Sequence, residues 1–259
     1  MDDKDGIREF LASRRAKITP GQAGLPVYGT NRRVKGLRRE EVAMLAGISV
    51  EYLTRLERGS DRYPSGQVLG SLADALALTA DERVHLYRLI KADSGAQCQQ
   101  TSTAPVLRPT VRALLDRLGV TPAYVTDPAG DVLACTDGFR SLAGPLGLLD
   151  DERPNMARYV FADARSRAAF PDWPRIADER AAAVRAAADL GDLAAGALAV
   201  ELSITAGTEF GDRYAAAAAL PAQTGVERWS GPSGTVRLAY ETLWLPGVDE
   251  HRLVVYLPA

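Results

Sequence analysis

Residues 37–59 read "LRREEVAMLAGISVEYLTRLERG", and the geometry of this stretch decides the fold of the first third of the chain. Leu37 to Ala46 has the composition of one short helix. Gly47 stands where the chain must turn sharply, a position that favours a residue tolerant of positive φ. Ser49 is a good N-cap for a second helix from Val50 to Arg58, and Gly59 can close it. Leu53 and Leu56 face inward toward Val42, Ala43 and Ala46. The two small alanines let the helices cross closely. Val50, Glu51, Thr54, Arg55 and Arg58 are left on the outer face.

Working outward, the flanks are helical too. "IREFLASRRAKI" places Ile7, Phe10, Leu11 and Ile18 near helical spacing. "TPGQAGLPVYGTNRRVKG" is a Gly- and Pro-rich loop. "SGQVLGSLADALAL" repeats apolar residues at i, i+3 and i+4. "TADERVHLYRLI" opens on Thr79 with Glu82 three residues on, a capping box. Five helices are therefore expected within about the first 90 residues. The stretch Arg14 to Arg39 holds eight basic residues and no acidic one, which suits a polyanion.

The composition bounds the rest. The 259 residues are 46% hydrophobic and 25% charged, ordinary for a globular chain. Residues 1–100 carry 16 Lys+Arg against 13 Asp+Glu; the remainder carries 15 against 20. No apolar run approaches a membrane span. "MDDKDGIREF" lacks the apolar core of a leader, so a cytoplasmic protein with no membrane association is expected. Cys98 and Cys135 are the only cysteines and His85 and His251 the only histidines. That excludes a disulfide framework and argues against a dedicated metal site; no cofactor is expected.

A helix that reads DNA needs short or polar groups near its N-terminus for base edges and basic groups beyond for phosphates. The outer face above has that form. The alanine in the first helix, the glycine at the turn and the Leu-Glu-x-Gly after the second helix resemble the helix-turn-helix of the XRE family, the phage-repressor-like group, over roughly Phe10 to Leu89. The resemblance implies binding to double-stranded operator DNA, with Val50, Glu51 and Arg55 at base-reading positions. Arg39, Tyr52, Arg58 and Arg62 would meet phosphates, with Arg38 and Thr54 in the same interface. It also implies a buried ion pair between Arg15 and Glu57. Glu51 either accepts from a cytosine amine or pairs with Arg55 at i+4.

Beyond "ADSGAQCQQTSTAPVLR", a polar linker, the pattern changes. "RPTVRALLDRLG" reads as a helix and "PAYVTDPAGDVLACT" as a hairpin of two strands. "NMARYVFADARSRAAF" and "DWPRIADERAAAVRAAADL" read as helices; "GALAVELSITA" fits a helix or a strand, and the shared face of Leu198, Leu202 and Thr205 favours the helix. "GTVRLAYETLWLP" and "HRLVVYLP" alternate as strands. The expected chain is multidomain: an all-α helix-turn-helix domain over 1–92, a linker over 93–107, and an α+β domain with an antiparallel sheet over 108–259.

"AYVTDPAGDVLA", "YVFADARSRAAFPDW" and "VRLAYETLWLPGVDEHRLVVY" resemble actinobacterial-type regulators with a MmyB-like C-terminal ligand-binding domain. The resemblance implies a PAS-like fold, a sheet cupping a cavity, and a fatty-acid-like ligand. Where that family usually has a histidine and a proline, Ser230 and Gly231 stand here. Aromatics around a concave site with one charged group at its mouth would suit an amphiphile. The candidates are Tyr124, Phe139, Phe161, Phe170, Trp173, Tyr240 and Trp244, with Arg165 and Arg237 as carboxylate partners. Asp127, Asp131, Asp137 and the 150–152 acidic run lie at turn-like positions, where Asp serves the backbone. No nucleophile or phosphate-loop signature accompanies them, so no enzyme activity is expected. The resulting expectation is a homodimeric transcription regulator that senses a small hydrophobic molecule. The competing expectation makes the second domain a dimerisation or protein-interaction module only.

Overall fold

The structure is a computed structural model, which describes residues 6–26, 36–58, 64–93, 107–217, 220–245 and 250–259. The chain divides into two compact units: 1–102 together with 200–211, and 103–199 together with 212–259. The units are thus not consecutive stretches of sequence, unlike the division at 92 and 108; most of the expected linker, residues 94–106, lies outside the described residues.

The first unit contains α1 (Gly6–Lys17), α2 (Arg39–Ala46), α3 (Val50–Glu57), α4 (Gly66–Ala75) and α5 (Ala80–Asp93). Local signals set their ends. Gly47 closes α2 at φ 66°, and the Ser49 hydroxyl accepts the Tyr52 amide at 3.0 Å to open α3. Glu41 accepts the Arg38 amide at 2.6 Å, while Thr79 and Glu82 form the expected reciprocal pair. Leu11, Leu37, Val42, Ala43, Leu53, Leu56, Leu69, Leu72 and Leu86 share one core. Burial of such side chains stabilises by roughly 1.5–3 kcal/mol each.

The second unit contains α6 (Pro109–Leu118), β1 (Ala123–Thr126), β2 (Val132–Cys135), α7 (Asp137–Ala143), α8 (Met156–Ala162), α9 (Ser166–Ala169), α10 (Trp173–Asp189), β3 (Thr224–Gly231), β4 (Gly234–Trp244) and β5 (Arg252–Pro258). Two further helices, α11 (Leu193–Thr205) and α12 (Thr208–Ala216), begin or end in it. The five strands pair antiparallel in the order β2-β1-β5-β4-β3. One face carries Tyr124, Trp229, Leu238, Tyr240 and Tyr256 into the main core with Phe139, Phe170 and Trp173. Val125 and Leu253 on the other face pack against Val111 and Leu115 of α6.

Three details differ from the sequence reading. "NMARYVFADARSRAAF" is two helices rather than one, because the Asp163 carboxylate accepts the Arg165 amide at 2.8 Å and turns the backbone between them. Helices α7 and α12 were not expected. Neither was β3, which closes on β4 through Pro232-Ser233 between the paired Gly231 and Gly234. Among the described residues no helix is long and apolar enough to cross a membrane.

Candidate functional site: a reading helix and a polar-ended cavity

Helix α3 presents Val50, Glu51, Arg55 and Arg58 to the surface, with Tyr52 and Thr54 half-buried. Leu53 and Leu56 pin its other face to the core. The Arg55 guanidinium lies 5.4 Å from the Tyr52 ring centroid, and the Thr54 hydroxyl donates to the Val50 carbonyl at 2.8 Å. Arg38 is exposed at the N-cap of α2. Arg62 lies outside the described residues, as do Arg32, Arg33 and Lys35 of the basic loop.

Glu57 fixes this helix from below. Its carboxylate takes Arg15 Nε at 2.6 Å and Arg39 Nε at 2.5 Å. The Glu57 side chain is 3% exposed and the Arg15 side chain 18%. The ion pair expected from the resemblance is present, and Arg39, expected at phosphates, is its second partner.

In the second unit a cavity of about 1070 Å³ opens between α10, the turn after it, β1 and its hairpin, and β4 and β5. Of the candidate aromatics Tyr124, Tyr240 and Trp244 line it, joined by Tyr256, Met156 and the alanines of α10. The other expected ligand residues do not reach it. Phe139, Phe170 and Trp173 are buried in the core, where Phe170 meets Trp229 edge-on at 4.9 Å. Phe161 packs at the margin of that core. Arg165 is exposed and pairs with Asp163 at 2.6 Å and Asp150 at 2.7 Å. Arg237 is exposed on the face of β4 opposite Leu238 and Tyr240, since neighbouring strand residues point to opposite faces.

Arg165 and Arg237 are not among the lining residues, but two other arginines are. Arg180 of α10 and Arg252 of β5 both line the cavity. The terminal nitrogen of Arg180 donates to Glu227 at 2.7 Å. Glu227 is fully buried and also accepts from Trp229 Nε1 and the Tyr256 hydroxyl, each at 2.9 Å. Three donors compensate a buried carboxylate. Arg252 donates to the Pro128 carbonyl at 3.2 Å and lies 4.9 Å from the Trp244 ring centroid. In both arginines the Nε is buried with no hydrogen-bond acceptor among the described residues. A buried donor without an acceptor is costly, and here both belong to side chains lining a cavity.

The remaining groups are tuned by burial. Burial and the neighbouring Asp131 push the Asp127 carboxyl up to about 6. Burial raises the Tyr124 hydroxyl, holds Tyr256 well above its ordinary value and pushes Tyr240 up to about 12. The three phenols therefore stay protonated, and the Tyr256 proton is already donated to Glu227. For Arg252, burial outweighs the Asp127 carboxylate and lowers its affinity for the proton. No sequence signal separated Arg180 and Arg252 from the other arginines; strand order and helix placement selected them.

Residues 9–86 match a helix-turn-helix domain family. Residues 107–259 match the MmyB-like transcription regulator ligand binding domain family. The chain has no significant match among curated proteins. With a DNA-binding helix pair at one end and a cavity-bearing sheet domain covering more than half its length, the chain belongs to the MmyB-like transcription regulators.

Proposed function

We propose that the cavity binds a small hydrophobic molecule with an acidic head, fatty-acid-like in character, and that its occupancy biases operator binding by a homodimer in the cytoplasm. The observation that carries this reading is the placement of two arginines, Arg180 and Arg252, in the wall of a cavity that also presents the α10 alanines, Tyr124, Tyr240 and Trp244 beside the carboxylates Asp127, Glu179, Asp192 and Glu250. An acid group would pair with an arginine of the wall, and an alkyl chain would displace water from its apolar part. Tyr240, protonated and in the cavity wall, adds a neutral donor. This is binding chemistry rather than catalysis.

On DNA, Val50, Glu51 and Arg55 are read as base-contacting residues. Arg38, Arg39, Tyr52, Thr54, Arg58 and Arg62 complete the interface. Two copies would meet half-sites about one helical turn apart. Ligand and operator would be linked by a coupling of about 1–3 kcal/mol.

One observation favours the second reading, in which the sheet domain is an interaction module. Val226, Ala239 and Leu257 pair across β3, β4 and β5 and so share one face, on which Val226 is 40% and Leu257 56% exposed. Native mass spectrometry of the full chain separates the two readings. A co-purified organic acid, or uptake of added dodecanoate, supports sensing. An empty dimer that takes up no acid supports the module.

A further inference from the structure

Residues 200–211 belong to the DNA-binding unit, although they lie within the stretch that matches the ligand-binding family. Their attachment is built. Ile204 is fully buried in the core that holds Leu53, Leu56, Leu69 and Leu72. Helix α4 has glycines where that segment crosses it: a Cβ on Gly70 would stand 2.2 Å from the Ser203 carbonyl oxygen, and one on Gly66 3.0 Å from the Val200 Cα. Arg83 of α5 donates to the Ile204 carbonyl at 3.0 Å and pairs with Asp74 at 2.5 Å. The other Asp74 oxygen accepts the Thr208 amide at 2.9 Å. A cation thus meets the C-terminus of α11 and a carboxylate the N-terminus of α12, the signs that helix ends favour.

The opposite end of α11 belongs to the cavity wall. Asp192 lines the cavity beside Leu190 and Gly191 and accepts the Ala195 amide at 2.7 Å, capping the helix. Ala195 is buried against Ala129 and Ala187, which are themselves lining residues. Between the two ends runs one uninterrupted helix of 13 residues, about 20 Å long. Helices transmit displacement along their axes because every turn is hydrogen-bonded to the next.

We infer that α11 is the transmission element of this regulator: a change at its Asp192 cap in the ligand cavity is passed to its Ile204 end, which is seated on α4 in the DNA-binding core. The inference rests on the reading that the cavity holds the signal, and it adds the route by which that signal leaves. Helix α4 packs directly on α2, the first helix of the reading pair, so its displacement reaches the face that meets DNA.

Hydrogen exchange on the full chain, with no ligand and no DNA added, tests the route. Asp192→Ala removes the cap, and Asp192→Asn retains an acceptor. The expected result is exchange about fivefold faster in residues 193–199, the size of a lost N-cap, together with faster exchange in residues 69–76 of the DNA-binding unit. Asp192→Asn should resemble the parent. An increase confined to residues 193–199 overturns the inference. Coupling is reciprocal, so Gly70→Ala, which displaces the Ser203 carbonyl, should quicken exchange at residues 192–199. No change there also overturns it. If Gly70→Ala does not fold, Arg83→Gln loosens the same seat through Asp74 and is judged by the same criterion. A chain whose cavity binds no acid would leave these results unchanged, so failure of the ligand reading is seen separately.

Discussion

Arg15 Nε of α1 stands 2.6 Å from Glu57 Oε1 at the end of the reading helix, and the Glu57 side chain is 3% exposed. This contact ties the first helix of the domain to the third across 42 residues of sequence. Removing one partner of a buried pair strands the other charge, at about 3–5 kcal/mol. Arg15→Ala should therefore lower the stability of the DNA-binding unit by about 3 kcal/mol in urea unfolding. Arg39→Ala, whose side chain is 45% exposed, should cost about 1 kcal/mol or less. Equal losses would show that the two arginines share Glu57 evenly.

Arg55 and Arg58 leave the same helix within one turn but are assigned different tasks. Arg55→Ala should cost about 1–3 kcal/mol on the operator and relax the preference at one base position. Arg58→Ala should weaken operator and random DNA alike and reduce the salt dependence of binding. Fluorescence anisotropy against both DNAs at two salt concentrations checks this. If Arg55→Ala weakened both DNAs equally, Arg55 would be a phosphate contact.

Arg252 and Arg180 should govern affinity for an acidic ligand, whereas Arg165 and Arg237 should not. Arg252→Met should reduce dodecanoate affinity about tenfold or more in calorimetric titration, the loss of a charge-assisted hydrogen bond. Arg165→Ala and Arg237→Ala should leave it unchanged, because those side chains are exposed outside the cavity. Unchanged affinity in Arg252→Met would move the acid group elsewhere.

Asp127 should give the sheet domain a distinct pH dependence. Its carboxyl is raised from 3.8 to about 6 in the folded chain. Below about pH 4 it is protonated in both states and costs nothing. As the pH rises toward 6 the unfolded chain ionises first, so the stability this group contributes is lost and stays lost above pH 6. The loss is on the order of 2–3 kcal/mol. Asp127→Asn should abolish that slope and stabilise the domain at pH 7 more than at pH 4. Equal effects at both pH values would refute the raised proton affinity.

Glu227 holds Arg180 in place beside the cavity. Glu227→Gln should destabilise the chain by about 3 kcal/mol, since a buried guanidinium loses its counter-charge. It should also weaken acid binding, because Arg180 is no longer fixed. Thermal unfolding and titration of the same variant read the two effects.

Helix-turn-helix geometry was legible in the sequence because its determinants are local. Gly47, Ser49, the Thr79 and Glu82 box and the spacing of Leu53 and Leu56 act within a turn or two of the backbone. Strands β4 and β5 were legible from alternation for the same reason. Strand β3 was not, although Glu227 and Trp229 alternate with Val226 and Arg228: a buried glutamate sits where an apolar residue would have declared the inner face.

Sequence alone thus determined two architectures, the reading helix with its exposed arginines and the antiparallel character of the second domain. Each follows from periodicity, capping and turn chemistry, which need no distant partner. Tertiary structure decided which arginines face the cavity and where residues 200–211 belong. Arg165, Arg180, Arg237 and Arg252 are chemically identical, and only sheet order and helix placement separate the two at the cavity from the two in solvent. Likewise Ile204 reads as one more apolar residue of a hydrophobic helix; it enters the DNA-binding core because Gly66 and Gly70, more than 130 positions earlier, leave room for it.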